Sequence, residues 1–218
     1  MVDTKKTFLE IIGKEYPIVQ EDAGEFSAFD MNGMNFTVEK YKAEGLGFIS
    51  WMRAEGMGGA MKMDTVVVNA FNVDMPMFSY DRIYAMGKET IIVEIYNTLL
   101  GEYDSKGFKE AHDLLNSYPD MPANGEHWYD AIRYPESIAK VGEDKDSELF
   151  DKALYGFIGE FIKEAKSAPA CDVNAKIDKA SEYPTNLVEQ GGFAADNFIK
   201  AIGKEKTREF FKTVLFNA

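Results

Sequence analysis

Two acids in the middle of the chain stand where acids are costly. Asp64 alternates with Val66 and Val68, and Asp81 alternates with Ser79, Ile83 and Ala85. Alternate residues of a strand share a face. A carboxylate on an aliphatic face either turns to water at an edge or, once buried, holds its proton well above the usual carboxylate range. A buried acid of this kind is a proton donor near neutral pH. Carboxylates are almost never fully buried, so a solvated face weighs equally against the chemical one. The same stretch holds seven of the eleven methionines: Met52, Met57, Met61, Met63, Met75, Met77 and Met86. Thioethers are soft and adaptable, which suits either a pocket for a bulky apolar ligand or the filling of a hairpin core.

Other chemistries lack their residues. The only histidines, His112 and His127, fall in no metal-ligand spacing, and the only cysteine, Cys171, has no partner for a disulfide. Gly56-Met57-Gly58-Gly59 lacks the Lys-Ser/Thr of a phosphate loop, and no Gly-x-Gly-x-x-Gly or Gly-x-Ser-x-Gly occurs. Acid–base work therefore falls to Asp or Glu. The 24 basic and 37 acidic residues give a net charge of −13. Such a field opposes binding to nucleic acid or an anionic membrane. Charges interrupt the first ten residues, so no signal peptide is expected, and the apolar runs are too short to span a membrane. A cytoplasmic protein is the expectation, with oligomeric state open between monomer and dimer.

The elements that must position these acids are strands first and helices later. Residues 3–15 read as a short helix capped by Asp3. Residues 25–43 read as a hairpin around Asn32-Gly33, and 47–53 with 61–71 as a second hairpin turned by the glycines at 56–59. Phe78 to Tyr84 and Glu89 to Tyr96 add two strands, and His127 to Ile132 a further one. Helices are expected at 105–117, 193–201 and 204–216, the last two broken at Gly203. The clearest is 147–166, where Phe150, Leu154, Phe157, Ile158, Phe161 and Ile162 form a stripe at helical spacing, capped by Asp146 or Ser147. This order gives an α+β class rather than a βαβ repeat. With 45% apolar and 28% charged residues, no repeat and no linker, residues 1–218 read as one domain.

Asp74-Met75-Pro76-Met77-Phe78-Ser79-Tyr80-Asp81 resembles the Asp-Leu-Pro-x-Phe-x-x-Asp signature of the ferredoxin-dependent bilin reductases, whose fold the red chlorophyll catabolite reductases share. Gly203 and Thr213-Val214-Leu215-Phe216-Asn217 resemble the family's terminal Phe-Gly…Val-Leu-Phe-Asp. The resemblance spans about residues 40–217 in order.

It implies a three-layer α/β/α sandwich with a central antiparallel sheet, and a linear tetrapyrrole bound between the sheet and the C-terminal helices. Reduction would proceed by single electrons from ferredoxin and protons from the protein, with no bound flavin or metal. The family's pocket aspartate carries over onto Asp81, with Asp64 as a second acid converging on the same pocket. Arg53, Glu55, Met63 and Phe78 are implied as substrate contacts. The family's Asn-Asp pair falls near Gly191-Gly192, which leaves Asp196 as its nearest acid. The alternative is a carrier or sensor that binds a tetrapyrrole without turning it over.

Overall fold

A computed structural model describes residues 4–103, 107–122 and 125–218. Among them, eight strands form one antiparallel sheet: β1 (Ile18–Glu21), β2 (Ala28–Met31), β3 (Met34–Ala43), β4 (Gly47–Gly56), β5 (Met61–Ala70), β6 (Met77–Ala85), β7 (Lys88–Tyr96) and β8 (Ile138–Glu143). The order is β1-β3-β4-β5-β6-β7-β8, and β2 pairs with β3. From β3 to β7 the chain is a meander. The tight turns joining β2 to β3 and β6 to β7 use left-handed backbone at Asn32-Gly33 and Met86-Gly87, the geometry that matches the twist of flanking strands.

The pleat sends alternate residues to two different cores. On one face Tyr41, Ile49, Trp51, Val66, Val68, Phe78, Tyr80, Ile91 and Val93 pack with α1 (Thr4–Gly13), α2 (Lys109–Leu115) and α3 (Ser147–Ala165). On the other, Phe36, Val38, Met52, Ala54, Val67, Met77 and Tyr96 pack with α4 (Val173–Gln190), α5 (Phe193–Ile202), α6 (Lys204–Phe210) and a π-helical turn, Phe211–Leu215. The result is the expected sandwich, an open antiparallel sheet with helices on both sides. No helix among the described residues is long and apolar enough to cross a membrane.

Several elements differ from the sequence reading. Residues 128–132 form a 3-10 turn, Trp128–Ile132, instead of a strand. The Asp130 carboxylate accepts the His127 backbone N–H at 2.8 Å and closes the turn, while an isolated bridge from Arg133 to Tyr96 is the sheet pairing that remains. The 18-residue helix α4 escaped prediction because Pro184 lies inside it and a charged residue, Lys176, sits on its buried side. β1 and β8 were missed as short strands with little apolar alternation. Asp146 precedes α3, but its side chain accepts from Glu143 N–H and Tyr118 O–H instead of capping the helix. Asp3 and residues 105–106 of the predicted helices lie outside the described residues.

Candidate functional site

The register of β5 against β6 separates the two predicted acids. Thr65 faces Asp81 across the ladder, and Asp64 faces Arg82. Directly opposed residues share a face, and a one-residue offset puts a side chain on the other one. Asp64 and Asp81 are offset by one, so they lie on opposite faces of the sheet. The expected convergence of the two acids does not occur.

Asp64 belongs to the α1–α3 face. It accepts the Trp51 indole N–H at 2.9 Å and two Arg53 guanidinium N–H groups at 2.8 and 3.0 Å. Phe78 is fully buried on that face against Phe161 of α3, with ring centroids 5.5 Å apart. Glu55 is exposed, paired in register with Lys62 beside Arg53 and Asp64. Arg53, Glu55, Phe78 and Asp64 are therefore removed from Asp81 by the thickness of the sheet.

Asp81 faces the C-terminal helices together with Met63 and Thr65. It is half-buried, and the Thr65 hydroxyl donates to its Oδ1. Burial pushes the Asp81 carboxyl up to about 7. The Thr65 hydrogen bond works against that rise, and the negative charge of Glu94 adds to it. Glu94 lies on β7 opposite Ser79, one diagonal step from Asp81 on the same face.

An aromatic wall stands behind the two carboxyls. Tyr96 of β7 shares the face of Glu94 and lies against Tyr183 of α4, their rings 4.6 Å apart. Tyr129 meets Tyr96 edge-on at 6.1 Å, and Trp128 meets Tyr183 at 5.6 Å. Burial raises the pKa of Tyr96, Tyr183 and Tyr129, so all three are neutral phenols at physiological pH. Arg133, just past the 3-10 turn, donates to Glu94 at 3.1 Å and pairs with Asp130 at 2.9 Å.

The helices do not cover this face evenly. Phe36, Val38, Met52, Ala54 and Val67 are buried under α5 and α6. Toward β8, the residues of the same face, Met63, Ile83, Ile92, Ala139 and Val141, are only partly buried. They form an apolar strip with Asp81 and Glu94 at its inner side. Beside the aromatic wall, an open cleft of about 380 Å³ is lined by Glu126, His127, Trp128, Gln190, Gly191, Gly192 and Asp196. Gly191 ends α4 at a positive φ of 88°, which favours glycine, and its carbonyl accepts the Trp128 indole N–H at 2.9 Å. The exposed Asp196 lines this cleft, on the helix side with Asp81 and Met63.

The sequence reading missed Glu94, Tyr96, Tyr129, Arg133 and Tyr183. A signal existed for Glu94 and Tyr96. In Glu89 to Tyr96, Ile91, Val93 and Ile95 mark one face, which leaves Glu94 and Tyr96 together on the other. Tyr183 lies on the unpredicted helix α4 and carried no such signal. Among the described residues, no three His, Cys, Asp or Glu side chains are grouped as ligands for a metal ion.

No protein-family model matches the sequence, and no curated protein matches it. Among solved structures, the chain is similar to the crystal structure of phytochromobilin synthase from tomato in complex with biliverdin. The TM-score is 0.77 at 11% sequence identity, over 98% of this chain and 81% of that one. The two proteins share their fold, an antiparallel sheet between two layers of helices.

Proposed function

We propose that this protein reduces an open-chain tetrapyrrole, with Asp81 as the proton donor. The observation that carries this reading is an acid poised near neutral pH beside a half-covered apolar strip, on the helix side of the sheet. It is supported by the shared fold with an enzyme whose structure holds biliverdin. A flat, apolar, conjugated ligand suits a strip of Met63, Ile83 and Ile92 walled by tyrosines. Asp196, in the adjoining cleft, is assigned to accept a hydrogen bond from a pyrrole or lactam N–H.

The reaction proceeds in two half-steps. A small one-electron carrier of the ferredoxin type gives one electron to the bound tetrapyrrole and is itself oxidised. The added electron makes the ligand more basic, and the Asp81 carboxylic acid passes it a proton. Asp81 takes up a proton from solvent, and a second electron and proton complete the reduction of one double bond. Burial that holds the proton on Asp81 before the electron arrives is what the step requires of the protein. The proposal includes no flavin and no metal.

Anaerobic titration with biliverdin, followed by reduced ferredoxin, tests the reading. Binding shifts the tetrapyrrole absorption, and reduction then converts it to a new chromophore. Binding without conversion by any one-electron donor supports a carrier or sensor instead. Failure to bind biliverdin or a chlorophyll-derived linear tetrapyrrole removes the proposal.

A further inference from the structure

The helix-side face carries a second carboxyl, on a different strand from the expected one. Glu94 projects from β7 onto the face that carries Asp81, one diagonal step away, and is itself largely shielded from solvent. Two carboxyls this close do not ionise independently. The charge on one raises the proton affinity of the other. Their surroundings divide the roles. Glu94 accepts a hydrogen bond from the Arg133 guanidinium at 3.1 Å. Asp81 has the Thr65 hydroxyl and no cation among its closest influences. Burial therefore holds the proton on Asp81.

We propose that Glu94 is a positioning residue for Asp81: its negative charge keeps the proton on Asp81, and Arg133 sets how strongly it does so by pairing with Glu94. Besides Thr65 of β5, which donates to Asp81, the polar groups gathered around Asp81 and Glu94 come from three elements. Glu94 and Tyr96 extend from β7, Tyr183 from α4, and Tyr129, Asp130 and Arg133 from the 3-10 turn and its end. Buried and neutral, the three tyrosines add no charge at physiological pH. Arg133 divides its guanidinium between Glu94 and Asp130, so it offsets only part of the Glu94 charge. The 3-10 turn thereby links the open cleft, through Trp128 and His127, to the proton affinity of an acid on the far side of the tyrosine wall. The catalytic meaning of this arrangement rests on the tetrapyrrole reading. The titration itself does not.

The test is the carboxyl ¹³C resonance of Asp81 in the ligand-free full chain, assigned by its loss in Asp81→Asn and followed against pH. The wild-type midpoint is expected at about 7. Glu94→Gln lowers it by about one pH unit, because a like charge is removed. Arg133→Met moves it the other way, because Glu94 loses its counter-charge, and Arg133→Lys restores most of the wild-type value. The two variants thus shift one midpoint in opposite directions, which loosened packing alone does not produce. An unmoved midpoint in Glu94→Gln, or shifts of the same sign in both variants, overturns the proposal. Opposite shifts in a protein that turns over no tetrapyrrole leave this inference standing and remove the functional one.

Discussion

Asp81 and Asp64 show how little separates a chemical residue from a structural one. Both stand on strands among aliphatic residues, and the ladder places them on opposite faces. Asp64 receives three N–H donors, and its partner Arg53 is exposed on the surface. Exposed ion pairs contribute about 0–1 kcal/mol, so Arg53→Met costs no more than roughly that in chemical denaturation. Asp81 has one hydroxyl partner and a nearby negative charge, and its proton affinity is raised. A raised carboxyl pKa means that the folded state binds the proton more tightly than the unfolded one. Stability from this group is present below pH 4, falls as pH rises toward about 7, and is constant above it. Asp81→Asn removes that penalty. The variant is expected to exceed wild type by roughly 2 kcal/mol at pH 8, allowing for solvent that still reaches the carboxyl, and to lose the gain by pH 4. Urea unfolding at the two pH values measures both arms. The alternation around Asp81 was legible in the sequence. Its face was not, because the one-residue offset from Asp64 depends on the length of the turn joining β5 and β6.

Helix α4 is tied to the sheet by a buried ion pair. The Lys176 ammonium is 1% exposed and donates to Asp74 at 2.9 Å, to the Met75 carbonyl at 2.7 Å and to the Thr98 carbonyl at 2.6 Å. Asp74 also accepts the Leu100 and Gly101 backbone N–H groups at 3.0 and 2.9 Å. Burial is the largest influence on Asp74 and pushes its pKa up. The Leu100 N–H, Lys176 and the Gly101 N–H together outweigh it and hold the carboxyl below its usual range. The first acid of the Asp74–Asp81 motif is thus a clasp for the segment after β7, and the last is the candidate donor. Lys176→Met leaves Asp74 buried without its cation and is expected to cost about 3–5 kcal/mol. Adding Asp74→Asn to Lys176→Met is expected to recover part of that loss in the same denaturation assay, since the stranded charge is gone. On the other face, Arg82 binds Glu89 at 2.7 Å, Asp151 of α3 and the Ser147 carbonyl at 3.1 Å, and so fastens β6 and β7 to the helices. The strand meander and α3 were legible from periods of 2 and 3.6 residues. Helix α4 was hidden because its buried side carries a lysine and a proline, residues whose cost is met only by tertiary partners.

The sheet divides the molecule into two cores, and the C-terminus closes the one that bears the site. Ser50 donates to the Leu215 carbonyl at 2.6 Å and Asn69 to the Phe216 carbonyl at 2.7 Å, which latches the π-helical turn to β4 and β5. Phe216 packs edge-on against Tyr183 at 5.3 Å, and Tyr183 in turn touches Tyr96. Phe216→Ala is expected to cost about 3–5 kcal/mol in thermal or denaturant unfolding. Through Tyr183, the same change loosens the wall behind Asp81 and Glu94. The layered architecture followed from the order of strands and helices. The uneven cover that leaves Met63, Ile83 and Ile92 half-buried depends on where α4 and α5 lie, which no local pattern encodes. Anaerobic single-turnover reduction of bound biliverdin by reduced ferredoxin, in wild type, Asp81→Asn and Asp64→Asn, tests which face of the sheet carries the proton donor. The helix-side assignment predicts that all three bind the tetrapyrrole. Asp81→Asn then slows product formation by at least about 100-fold, and Asp64→Asn stays within a few-fold of wild type. Loss of reduction in Asp64→Asn with Asp81→Asn unaffected would contradict it.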